Sequence, residues 1–130
     1  MYKLEELEVP KHHSELLYQR LDEFIKTKFH AYLCRSEWFE SNDIHVFIRL
    51  AHKHLDGEFC STIEIANVTV YKPGEGLYRY LMAFLWDRLK PGQALLVENV
   101  LDSEQNIIYE KLGFKAVDSQ FAENVKRTIL

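Results

Sequence analysis

Residues 58–90 change rhythm without a linker. Residues 58–71 are rich in Ile, Val and Thr, which is the composition of a strand. Lys72, Pro73, Gly74, Glu75 and Gly76 follow at once. From there Tyr78, Leu81, Met82, Leu85 and Leu89 recur at helical spacing, and Pro91-Gly92 stops the run. The pattern predicts a strand, a tight glycine turn and a helix over 77–90. Two glycines at a helix opening let the backbone come close to a ligand. The first N–H groups of that helix carry partial positive charge and have no internal partner, which suits an anion such as a pyrophosphate. The same residues also serve a chain that merely turns. This is not a Walker loop, because no Gly-Lys-Ser/Thr follows. It is not the Rossmann fingerprint either, because Arg79 stands where a third glycine would be.

The flanking sequence completes an alternation of helices and strands. Residues 14–26 place Leu17, Leu21, Phe24 and Ile25 on one stripe of an amphipathic helix. Residues 31–40 are ambiguous. Asn42-Asp43 reads as a turn, 44–50 as an alternating strand, and Asp56-Gly57 as the tip of a hairpin leading into 58–71. Past the central helix, 94–100 is a short apolar strand. Asp102 with Gln105 then offers a capping box, and Ile107, Ile108 and Leu112 are expected to bury one face of a second helix, with Gly113 at its left-handed end. Strands over 114–117 and 124–130 close an α/β chain with a mixed sheet, read as one domain over 1–130.

Composition narrows the function classes. The 130 residues are 47% hydrophobic and 28% charged, the balance of a globular chain. Sixteen Lys and Arg against twenty Asp and Glu give a net charge of −4, with no basic run, so nucleic acid is not an expected partner. The longest apolar runs, such as 94–97, are far short of a membrane span, and three acids among the first eight residues do not make a signal peptide, so a cytoplasmic chain is expected. Cys34 and Cys60 show no CxxC spacing; the count leaves a single disulfide open, and in a reducing compartment both are expected to be buried small hydrophobes. His52 and His54 share a strand face without a third ligand at usable spacing, so no metal is expected. His12-His13 reads as a cap or a solvated pair before the first helix. Trp38-Phe39 suits an acceptor pocket or a subunit contact.

After the strand 94–100, the run Ile107-Ile108-Tyr109-Glu110-Lys111-Leu112-Gly113-Phe114-Lys115 closes a helix and enters a strand. With the strand–glycine–helix unit before it, the sequence over about 58–115 resembles the GNAT superfamily of N-acetyltransferases. Members carry a strand, a Q/R-x-x-G-x-G/A loop, a helix, a strand, and a helix ending much like Tyr-Glu-Lys-x-Gly-Phe. The resemblance implies a GNAT-like mixed, mostly antiparallel sheet with helices on both faces. It also implies acyl transfer from acetyl-CoA to an amine of a small molecule or protein. Pro73 stands where Gln or Arg is usual, Gly76 falls on the middle glycine, and Tyr78 stands where Gly or Ala is usual. Glu75 brings an acid near the place of a pyrophosphate. These departures support a second reading, a GNAT-fold protein with a degenerate loop that binds a protein partner. A homodimer stays open.

The resemblance assigns Val68, Val70, Lys72, Gly74, Glu75, Gly76, Leu77 and Arg79 to the cofactor, and Tyr109 to protonating the departing thiolate. For the base that takes the ammonium's proton, Glu64 is the first candidate. Period two sets it on one face with Ala66, Val68 and Val70, opposite Ile63, Ile65, Asn67 and Thr69, and aliphatic neighbours should raise its pKa. The plain alternative is an outward-facing acid. Glu98, with Asn99 beside it, is the second candidate.

Overall fold

The computed structural model describes residues 3–29, 33–55, 57–98, 103–117 and 120–123. Ser14 caps the first helix, α1 (Glu15–Lys28), accepting from the Leu17 N–H at 3.3 Å, and the stripe Leu17, Leu21, Phe24 and Ile25 is buried as its spacing predicts. The ambiguous segment resolves as a strand, β1 (Arg35–Glu40), followed by a long hairpin of β2 (Ile44–Leu55) and β3 (Glu58–Val70). After the glycine turn come α2 (Leu77–Asp87), β4 (Gln93–Val97), α3 (Ser103–Lys111), β5 (Phe114–Val117) and β6 (Gln120–Glu123). The expected strand over 124–130 and the cap at Asp102 lie outside the described residues.

The six strands form one sheet in the order β1-β2-β3-β4-β6-β5. Only β3 and β4 run parallel among these pairings, as a strand–helix–strand connection requires, so the α/β class and the mixed sheet stand. One face carries the main core. Ile44, Val46, Ile48 and Leu50 of β2, Ile63 and Ile65 of β3, and Leu95 and Val97 of β4 pack with the buried sides of α1 and α2. Every residue of α2 from Leu81 to Trp86 is buried, so this helix lies inside the packing rather than along its edge.

Three expectations are corrected. Ile107 and Ile108 do not bury a face of α3; they are 52% and 58% exposed, and Tyr109 and Leu112 turn inward instead. Cys34 is exposed and Cys60 half-buried; both are free thiols, not core hydrophobes. The face assignment in β3 fails as well, because the strand is not regular. Phe47 pairs with Asn67 but Ile48 pairs with Ile65, which leaves Ala66 as an extra residue. This β-bulge inverts the alternation. Val68 and Val70 therefore pack on the same side as Ile63 and Ile65, and Glu64 points to the other face.

Candidate functional site

The glycine turn is shaped by two left-handed residues, Gly74 (φ +87°) and Gly76 (φ +76°). Gly76 is the N-cap of α2, and its carbonyl accepts the first helical bond, from the Tyr80 N–H at 3.0 Å. The N–H groups of Leu77, Tyr78 and Arg79 precede that bond and form the positive end of the helix. A methyl group added at either glycine would meet nothing within 4 Å, so the space before the turn is open. A surface cavity of about 340 Å³ lies there, lined by Gly74, Gly76, Arg79 and Tyr80, with Glu6, Glu8 and Glu75 on its walls. The donor set fits the phosphates of a nucleotide-like ligand; the carboxylates work against it. Leu77 is buried and offers this space only its backbone. Lys72 is tied to Asp43 at 3.1 Å.

Upstream of the turn, β3 runs on past the end of β4. The β3–β4 ladder runs from Ser61–Gln93 to Ile65–Val97, and one further bond joins the Glu98 N–H to the Ile65 carbonyl at 3.1 Å. Beyond it, residues 67–70 keep their pairing with β2, and among the described residues they have no rung to β4. The bulge at Ala66 sits just past the last rung. Tyr109 comes from α3 and Tyr78 from α2, and their hydroxyls are 2.6 Å apart. Tyr78 therefore faces the core side rather than crowding the turn, its ring packed against the core cluster. Burial pushes both phenols up, Tyr78 well above the ordinary value, while the bond from Tyr78 partly offsets the rise at Tyr109. Both stay protonated at neutral pH.

The two candidate bases come together on the opposite face. Glu64 is fully buried and accepts from Arg49 Nη1 at 3.1 Å, Lys53 Nζ at 3.0 Å and the Thr62 hydroxyl at 2.7 Å. Glu98 accepts from the same Arg49 nitrogen at 2.7 Å and the same Lys53 ammonium at 3.3 Å. Burial, reinforced by the bond to Glu98, raises the Glu64 carboxyl, outweighing Thr62 and Lys53. At Glu98 burial acts the same way, but the bond from Glu64 and the charges of Arg49 and Lys53 outweigh it and hold its carboxyl low. The pair thus separates into a carboxyl raised by burial and one held low by its cationic neighbours. Asn99 lies outside the described residues.

Sequence reasoning missed Arg49, Lys53, Thr62 and His12. His12 neither caps α1 nor stands free in solvent; it lies 3.4 Å from Glu75 and 3.9 Å from Asp43, while His13 stacks on Tyr18 with centroids 4.5 Å apart. His52 bonds the Ser61 hydroxyl at 2.8 Å and His54 packs beside Phe59. Phe39 is buried in the core, whereas Trp38 is 47% exposed and lies against His45 and Phe47 on the outer edge of the sheet. Among the described residues, no helix is long and apolar enough to cross a membrane. No family model, curated protein or solved structure matches this chain.

Proposed function

We propose that this chain is an acyl-CoA-dependent N-acyltransferase of the GNAT kind, taking an amine of a small molecule or protein as acceptor. The observation that carries the reading is that β3 runs on past its last rung to β4, at Ile65–Val97, into a left-handed glycine turn at the head of α2. Among the described residues that stretch of β3 has no partner on the β4 side, which suits an extended, amide-bearing arm, and the helix N-terminus suits its phosphates. The phosphates are assigned to the first-turn N–H groups of α2, Gly74, Gly76 and Arg79, and the arm to the backbone of Val68 and Val70. Acetyl-CoA supplies the activated acyl carbonyl.

The residues then divide the proton work. An acceptor amine arrives mostly as ammonium and must lose a proton before it can attack. The Glu64–Glu98 pair is assigned that proton, received through water near the last rung between β3 and β4. Tyr109 holds the proton for the departing thiolate, and Tyr78 fixes its hydroxyl. The test is calorimetric binding of acetyl-CoA, followed by thiol release over a panel of amines. One-to-one binding with amine-dependent thiol release is expected.

The carboxylates Glu6, Glu8 and Glu75 around the turn favour a second reading, in which the fold has lost its cofactor and binds a protein partner. Absence of acetyl-CoA binding would select it.

A further inference from the structure

His12 joins four segments at the glycine turn. Its Nε2 is 3.4 Å from a Glu75 carboxylate oxygen, and its Nδ1 is 3.5 Å from Lys72 Nζ and 3.9 Å from Asp43 Oδ1. Lys72 in turn is 3.1 Å from the same Asp43 oxygen. The charged groups facing the imidazole are therefore Asp43 from the β1–β2 turn, Lys72 after β3 and Glu75 in the glycine turn, with Glu40 lining the same hollow. The two protonation states of the ring make different demands on this set. A neutral imidazole with hydrogen on Nε2 donates to Glu75 and accepts from Lys72 at Nδ1. An imidazolium cannot accept from Lys72. It repels that ammonium, places its own Nδ1–H toward Asp43, and sets a full positive charge against Glu75.

We propose that His12 is a positioning residue that makes the glycine turn receptive to a phosphorylated ligand, by neutralising Glu75 and releasing Lys72 from Asp43 when protonated. The inference rests on the acyl-CoA reading and adds to it a proton-coupled control of the same site. The sign follows directly. Protonation adds one positive charge beside Glu75 and turns Lys72 away from the ring, so an anion binds more tightly at low pH and more weakly as the imidazole loses its proton. Because the groups are partly exposed, the expected effect is about three- to fivefold in affinity. By reciprocity, ligand binding draws a proton onto the ring.

The probe is dephospho-CoA, whose pyrophosphate keeps a constant charge over the range where histidine titrates, from about pH 5.5 to about pH 8.5. Calorimetry on the full chain, repeated in two buffers of different ionisation enthalpy, reads affinity and proton uptake together. Thermal unfolding checks that each variant is folded. The parent is expected to bind less tightly as pH rises and to take up a proton on binding. His12→Gln should lose both effects and bind with the parent's high-pH affinity throughout. Glu75→Gln should bind more tightly than the parent at high pH, with a shallower pH dependence. If His12→Gln keeps the parent's pH slope and proton uptake, the inference is overturned while the acyl-CoA reading stands. If neither dephospho-CoA nor acetyl-CoA binds the parent at any pH, both fall.

Discussion

Glu64 combines full burial with contact to two cations, a hydroxyl and a second carboxyl, and its energetics follow from that crowding. Removing the carboxyl leaves Arg49 and Lys53 sharing Glu98 alone, so Glu64→Ala should destabilise the fold by about 3 kcal/mol at neutral pH. Glu64→Gln keeps the shape and mimics the protonated carboxyl, so it should cost much less. The pH dependence separates the two carboxyls. A carboxyl raised in the folded state binds more protons folded than unfolded, so its contribution to stability falls as pH rises from the ordinary Glu value of about 4.3 towards the folded one. Glu98 is lowered and acts in the opposite sense, its contribution present above the ordinary value and lost as pH falls through the folded one. Urea unfolding over a pH series should therefore show Glu64→Gln losing the downward limb of the parent curve. Parallel curves would contradict a raised Glu64. Tyr109 offers a kinetic counterpart. Tyr109→Phe should lower turnover by roughly 10²-fold with little change in acetyl-CoA affinity, and the loss of its bond to Tyr78 should cost about 1 kcal/mol of stability. Unchanged turnover would leave Tyr109 a packing residue.

At the scale of elements, the glycine turn and the bulge set the site, and they differ in how far the sequence reveals them. Gly74 and Gly76 were visible as turn residues, and the structure puts both at positive φ. Gly76→Asp should cost about 1 kcal/mol, because a side chain is strained there. It also adds a carboxylate at the anion site, so acetyl-CoA binding should be lost while circular dichroism is retained. Retained binding would place the ligand elsewhere. The bulge at Ala66 left no mark in the sequence, since neither Gly nor Pro announces it. One extra residue moved Val68 and Val70 to the core side and separated them from Glu64. Glu64 itself was legible as an acid among aliphatics, but Arg49 becomes its partner only through the cross-strand register, which pairs those two residues directly. His12 was unreadable for a related reason, because its contacts join segments 31 and 63 residues apart in the chain, to Asp43 and Glu75.

Across the whole molecule, the sheet has a function-bearing asymmetry. One face is an apolar core under α1 and α2, and the other carries the Arg49–Lys53–Glu64–Glu98 network. The tyrosine pair belongs to the first face and the carboxyl pair to the second. The alternation of elements made the α/β class readable, because periodicity reports which residues face inward. The juxtaposition of the two pairs depends on long-range pairing, which periodicity does not report. The account stands or falls on whether the end of β3 and the glycine turn bind acyl-CoA. The most direct measurement is the thermal unfolding midpoint of the parent chain against acetyl-CoA concentration, with calorimetry at the same pH. Binding to the folded state alone should raise the midpoint by about 8–12 °C once the ligand exceeds its Kd about a hundredfold, with one-to-one stoichiometry. An unmoved midpoint and no heat of binding with acetyl-CoA at millimolar concentration would contradict it.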